Sequence, residues 1–275
     1  MKILIIGSTG MLGSTLKYYF STLKYEIKTI DRKVLDLSQC SYDELKDKII
    51  ESDSDILINC AGLIKQREGV TTANFIAVNS LLPHRMSEIC EQQNIKMIHV
   101  TTDCVFSGNL GNYKEDLIHD VTDVYGRSKS MGEPNNCTVI RTSIIGEEET
   151  NKLSLLEWVK SHKNKSIKGY VDHTWNGLTC LQLSKVVRQI IEENIYWKGV
   201  RHIHTKGFLS KYELVKIINE IYELGNLIEK YNSNNPTQRT LTSKHNVNQF
   251  QIPSFYRQIQ ETKEFHNTIR GKQII

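Results

Sequence analysis

Tyr125 and Lys129 are the residues of this 275-residue chain best suited by type and spacing to move a proton. They stand four apart in Tyr125-Gly126-Arg127-Ser128-Lys129, so on a helix they share one face, and an ammonium there can lower a neighbouring phenol's pKa toward working pH. A phenol tuned in this way suits carbonyl reduction, in which the oxygen must gain a proton as the carbon gains a hydride.

A second motif lies at the start of the chain. Ile3 to Ile6 form a short apolar run, read as a buried parallel strand, which passes into Gly7-Ser8-Thr9-Gly10-Met11-Leu12-Gly13. Leu12, Leu16, Tyr19, Phe20 and Leu23 then mark the core face of a helix. Strand, glycine turn and helix together predict a dinucleotide site, because the glycines let backbone N–H groups approach a pyrophosphate at the positive end of the helix.

These motifs need a scaffold, and the apolar pattern supplies one. Strands are expected at Tyr25–Ile30, Asp55–Asn59 and Ile95–Val100. Helices are expected at Tyr42–Ile50 and over Thr72–Gln93, the latter broken by Pro83. The alternation predicts an α/β fold, a doubly wound parallel sheet with ligands beyond the carboxyl ends of its strands. Further on, the pattern gives a strand at Thr138–Ser143, helices at Lys152–His162 and Leu181–Asn194, and a late strand at Arg201–Thr205 that rejoins the sheet. Ser210-Lys211-Tyr212-Glu213 has capping-box spacing and opens another helix, and Asn232–Asn248 reads as a loop. Residues 1–147 are thus expected to form a dinucleotide-binding domain and 148–275 mainly a smaller substrate-binding lobe.

Composition narrows the class. A net charge of +4 spread along the chain offers no basic stripe for nucleic acid. The six cysteines lack C-x-x-C spacing, which predicts reduced thiols in a cytosolic setting and no metal site. The N-terminal apolar run is too short for a signal-peptide core, and no run is long enough to span a membrane.

Gly7 to Gly13, Asn59-Cys60-Ala61-Gly62, Thr101-Thr102-Asp103-Cys104-Val105-Phe106-Ser107-Gly108 and Tyr125 to Glu133 together resemble the extended short-chain dehydrogenase/reductases. More narrowly they resemble the dTDP-4-dehydrorhamnose reductase branch and its relatives acting on UDP-4-keto sugars. The resemblance implies a Rossmann-type domain that reduces a nucleotide-linked 4-keto-6-deoxyhexose with NADPH or NADH, and allows a homodimer. Tyr125 would give the proton, Lys129 would lower its pKa and hold the nicotinamide ribose, and Thr102 would hydrogen-bond the same carbonyl oxygen. Gly7, Thr9, Gly10, Met11, Leu12, Gly13, Cys60, Ala61 and Gly62 would bind the cofactor. Asp31 at the end of the second strand favours NAD, whereas Arg32 and Lys33 beside it favour a 2′-phosphate and so NADP, the form a biosynthetic reduction prefers.

Cys104 departs from the reductase pattern, in which a tyrosine stands at this position. A cysteine two positions after the catalytic hydroxyl residue resembles GDP-fucose synthase, where it is an epimerisation base, so epimerisation at C3 or C5 before reduction is expected, with Lys152 as the partner acid and His173 as the alternative. If Cys104 only packs, a plain 4-reductase remains, and a non-catalytic nucleotide-binding subunit is a more distant reading. Asp103, Val105, Trp175, Asn176 and Arg239 are expected at the substrate. Trp175 would stack on a ring or fill the core, Asn176 would bond a hydroxyl, and the Arg239 guanidinium would pair with diphosphate.

Overall fold

Successive residues of β1 (Lys2–Ile6) point to opposite sides of the central sheet, and both sides are shielded. The computed structural model describes residues 1–66, 68–150 and 152–273. β1 pairs in parallel with β2 (Glu26–Ile30) and β3 (Ile56–Asn59), followed outward by β4 (Lys96–Thr102) and β5 (Thr138–Thr142). Next along the chain come β6 (Ile144–Ile145), β7 (Ser166–Tyr170), β8 (His173–Trp175) and β9 (Leu178–Thr179), and then β10 (Gly199–His202). β10 returns to pair with β5, which completes a six-stranded sheet ordered β10-β5-β4-β3-β1-β2.

One face of the sheet packs Ile3, Ile5, Ile58, Ile98 and Ile140 against α1 (Met11–Ser21), and later in the chain against α7 (Cys180–Glu192). The other face buries Leu4, Ile6, Leu57 and Val139 under α2 (Tyr42–Glu51) and α4 (Leu82–Gln92). The expected long helix between β3 and β4 has three parts. A short α3 (Thr72–Phe75) passes through a π-helical stretch, Ile76–Leu81, into α4. Pro83 does not break it. The proline sits in the first turn of α4, after the wider π turn, where a missing N–H costs little.

The C-terminal lobe has a core of its own. α6 (Leu155–Ser161), α8 (Lys211–Ile221) and α9 (Phe255–Gln273) enclose Leu156, Val159, Ile167, Leu214, Ile218 and Ile259. β12 (Leu227–Tyr231) pairs in parallel with β7, while β8 lies between β11 (Leu209–Ser210) and β13 (Thr237–Gln238). The Ser210 capping box forms as its spacing predicts, with Glu213 returning the bond to the Ser210 backbone. The lobe's short strands were not expected from sequence. β7 alternates buried and exposed residues over only five positions, and the stretch read as a loop from Asn232 holds β13. No helix among the described residues is long and apolar enough to cross a membrane.

Candidate active site

Thr102 ends β4, so its side chain lies at the carboxyl edge of the sheet, where the chain turns into a single 3₁₀ turn, Asp103–Val105. The Thr102 hydroxyl caps this turn by accepting from the Cys104 N–H at 3.2 Å, and it donates to Asp103 Oδ1 at 3.1 Å. α5 (Val124–Ser130) is brought close against the turn because residue 126 is glycine: a Cβ there would overlap Val121 and the Cys104 carbonyl. Asp123 caps the helix by accepting from the Gly126 N–H, which fixes the direction in which Tyr125 leaves it. The Tyr125 ring then lies edge-on to Phe75, with the Lys65 ammonium 5.7 Å from its centroid. Lys65 also pairs with Asp123 at 2.8 Å.

Burial pushes the Tyr125 phenol well above its ordinary range, Cys104 adds to this, and the Thr102 hydroxyl pulls the other way. Lys129 behaves in the opposite sense: burial lowers it to about 8, against the attraction of Glu133 and Cys60. Its Nζ lies 3.6 Å from the point where a Cβ on Gly62 would stand, so the amine faces the end of β3. The expected lowering of the phenol by Lys129 is therefore not what sets Tyr125 here. The lysine's charge acts on Cys60 and His99.

Asn79 holds this arrangement together. Fully buried in the π-helical stretch, it accepts from the Leu63 N–H at 2.8 Å and donates to the Leu63 carbonyl and to Ser128 Oγ. One side chain thus ties the loop after β3 to the helix that carries Tyr125 and Lys129. A period of 3.6 residues hides it, since only the wider turn directs it inward.

At the other end of the site, Gly7 adopts φ +80° and lies hard against Ala61, and a Cβ on Gly13 would overlap the Gly7 carbonyl. Gly10 differs. It has ordinary φ and ψ at the N-cap of α1, and a Cβ on it would be 3.5 Å from the Gly7 carbonyl, an ordinary contact. The fold does not need a glycine there, and α1 begins with no side-chain cap and no acidic residue in its first turn. A backbone cradle of this kind fits an incoming pyrophosphate. Asp31 turns its carboxylate back onto the Lys33 and Val34 N–H groups at 2.8 and 3.1 Å, while the exposed Arg32 lies beside it, 3.6 Å from Asp36.

A cleft of about 190 Å³ runs between Met11, Ser143 and Ile144 on one side and Leu153, Trp175 and Lys211 on the other. Trp175 is buried against Phe255 with Lys211 over its ring, so it both fills the core and borders the cleft. Asp103 is buried, and burial raises its pKa against the pull of Arg239 and Lys211. Two expected substrate contacts, Val105 and Asn176, lie elsewhere. Val105 is wholly enclosed with Phe106, Tyr113 and Leu241. The Asn176 amide is engaged by Leu241, donating to its carbonyl at 2.7 Å and accepting its N–H at 2.9 Å, so it fastens the tail. Arg239 donates to the Phe106 and Ser107 carbonyls at 3.0 and 3.2 Å, with Nη1 4.0 Å from the Cys104 sulfur, which places its guanidinium beside the 3₁₀ turn.

The epimerase pair finds no support in the structure. Burial, with Asp103 beside it, pushes the Cys104 thiol up to about 11, the wrong direction for a base. Lys152 is exposed at a left-handed position, φ +52°, in the loop before α6. His173 is bonded to Ser233 at 3.0 Å and stacked on Tyr170.

Beneath the site, Arg141 on β5 is 2% exposed and sits at the centre of a polar network. Its guanidinium donates to both Glu133 oxygens, at 2.9 and 2.5 Å, and to Nε2 of His202 and of His119, each at 2.7 Å. Both rings must therefore be neutral with the proton on Nδ1, from which His202 donates to the Thr242 carbonyl at 2.7 Å. Burial agrees, lowering His202 to about 4.

A parallel sheet with a glycine turn after β1, and a threonine, tyrosine and lysine gathered at the ends of β4 and α5, defines a Rossmann-type chain of the short-chain dehydrogenase/reductase kind. The family described as the RmlD substrate binding domain matches residues 1–260, and the chain belongs to it. It is 29% identical over 230 residues to a dTDP-4-dehydrorhamnose reductase of Aggregatibacter actinomycetemcomitans, which covers 77% of this chain and 76% of that one. It is 24% identical over 229 residues to a dTDP-4-keto-6-deoxy-D-glucose reductase of Streptomyces niveus, covering 78% and 76%. Among solved structures, the dTDP-4-dehydrorhamnose reductase of Bacillus anthracis in complex with NADP superposes with a TM-score of 0.79 at 19% identity, covering 95% of this chain and 98% of its own.

Proposed function

We propose that the protein reduces the 4-keto group of a nucleotide-linked 6-deoxyhexose, using NADPH. What supports this reading is the close packing of α5, the helix of Tyr125 and Lys129, on the turn that Thr102 caps at the end of β4, with the Lys129 amine beside Gly62. The reductase activities printed for the relatives support the substrate class. Gly7, Gly10 and Gly13 with the start of α1 would hold the pyrophosphate. Arg32, unlike the self-engaged Asp31, is placed for a 2′-phosphate, which favours NADPH.

NADPH when bound supplies the hydride that the keto carbon must gain. Tyr125, kept protonated by burial, donates its phenolic proton to the carbonyl oxygen, giving an alcohol and a phenolate that water reprotonates. The Thr102 hydroxyl, which donates to Asp103 in this structure, turns to the same oxygen, and the Lys129 ammonium, directed to the end of β3, would hold the nicotinamide ribose. The raised Cys104 thiol and the exposed Lys152 favour a plain 4-reductase over a combined epimerase/reductase.

A panel of dTDP-, UDP- and GDP-linked 4-keto-6-deoxyhexoses with NADPH and NADH tests this. At least one sugar should be reduced, faster with NADPH, and incubation in deuterated water without cofactor should leave the carbons beside the ketone unlabelled. Failure to reduce any of them counts against the reading, and deuterium uptake would restore the epimerase.

Two further results are expected. Reduction should hold level up to about pH 8 and fall above it: Lys129 is charged below its lowered pKa and loses the ammonium as pH rises through it, while Tyr125 stays protonated over the same range. A pH series of kcat/KM checks this. Gly10→Ala should leave the melting temperature unchanged and raise the KM for NADPH about tenfold or more, since the added methyl meets the cofactor and not the protein. Gly13→Ala, which forces apart the Gly7 turn, should instead destabilise the fold by about 3 kcal/mol.

A further inference from the structure

Lys211 is the first residue of α8, and its ammonium is drawn into the site by an element of the other lobe. The Ser210 capping box fixes where the helix starts, and with it the direction of the residue that follows. The amine lies 5.3 Å from the centre of the Trp175 ring, at the border of the cleft shared with Met11 and Ser143. Its charge is favoured by Asp103 and Cys104 and opposed by Arg239. Among the described residues, the ammonium makes no hydrogen bond and no ion pair; it sits over the Trp175 ring and feels the charge of Asp103 at longer range. Three N–H donors with no protein acceptor, on a half-buried cation at the edge of the cleft, are open to the oxygens of a ligand.

From this we infer that Lys211 is a substrate-binding residue, donating hydrogen bonds to an oxygen on the sugar ring beside the carbon that is reduced. The placement follows from the chain. Thr102 would touch the keto oxygen, and Asp103 and Cys104, which Lys211 faces, are the next two residues of the same turn. A group opposite them meets the ring position adjacent to the ketone and approaches it from the C-terminal lobe. Trp175 lies beneath the ammonium, and its ring helps to hold the cation at the border of the cleft before ligand arrives. This assignment rests on the nucleotide-sugar reading given above. It separates sugar recognition from nucleotide recognition, since the glycine turn and Arg32 lie with the other lobe's first two strands.

Calorimetric titration of the full-length wild type, Lys211→Met and Lys211→Arg tests it, with a dTDP-, UDP- or GDP-linked 6-deoxyhexose and with the matching nucleoside diphosphate alone. Lys211→Met should weaken the nucleotide sugar about tenfold or more and leave the bare nucleoside diphosphate within twofold. Lys211→Arg, which keeps the charge, should recover part of the loss. Unchanged sugar affinity in Lys211→Met would overturn the assignment, as would an equal loss on the bare nucleotide, which would move the lysine to the phosphates. Circular dichroism of both variants should match the wild type, because residue 211 is outside the lobe's apolar cluster. If the wild type binds nucleotide sugars without reducing any keto sugar, the 4-reductase reading fails and the titration still decides Lys211. If it binds none, both fall together.

Discussion

Tyr125→Phe should lower kcat by about 10³-fold while leaving fold stability and NADPH affinity near wild type. The ring's contacts with Phe75 and Lys65 survive removal of the hydroxyl, so the substitution is structurally mild. What it removes is the proton that the carbonyl oxygen must receive. Thr102 can still donate one hydrogen bond to that oxygen, but its hydroxyl does not replace a proton donor. Thr102→Val should therefore cost less, about 10²-fold. The double variant should fall short of the product of the two, because both residues serve one oxygen. Single-turnover rates at saturating NADPH and substrate measure all three. A Tyr125→Phe enzyme within tenfold of wild type would remove Tyr125 from the chemistry.

The second large effect concerns stability. Arg141→Met should destabilise the protein by about 3–5 kcal/mol, because it leaves the nearly buried Glu133 carboxylate without its two guanidinium bonds and deprives His119 and His202 of the donor on Nε2. Methionine fills the volume and still packs on Phe106, where the guanidinium sits 5.2 Å from the ring, so the loss comes from charge and hydrogen bonding more than from a cavity. The effect should reach the site, since Glu133 also holds the charge on Lys129. Urea unfolding of wild type, Arg141→Met and the double variant Arg141→Met/Glu133→Leu checks this. Removing both charged partners should recover much of the loss, whereas a single variant as stable as wild type would show that the network carries no net stability.

The first half of the chain was legible because its signals are local. The Ile3–Ile6 run, the glycines and the face of α1 lie within one short stretch, and periodicity alone orders them as strand, turn and helix. Tyr125 and Lys129 were legible for the same reason, sharing one helical face. The C-terminal lobe was harder. Its strands are two to five residues long and several pair across long loops, so no window of sequence contains the alternation that would announce them. The capping box at Ser210 showed where α8 begins, but nothing in the sequence showed that Lys211 would face Asp103 and Cys104, which a different lobe supplies. Asn176 and Val105 misled by neighbourhood. Each adjoins a site residue, yet a hydrogen-bonded tail took the one and a buried aromatic cluster the other. Cys104 suggested a base by its position, and only its burial beside Asp103 shows that its thiol is held protonated.

Single turnover with a nucleotide-linked 4-keto-6-deoxyhexose and NADPH deuterated at the transferable C4 position tests the central claim most directly. NMR of the product should show deuterium at sugar C4 and a new hydroxyl on that carbon with wild-type enzyme, and almost no product with Tyr125→Phe. A sugar recovered with its ketone intact, or deuterium transferred equally well by the phenylalanine variant, would contradict it.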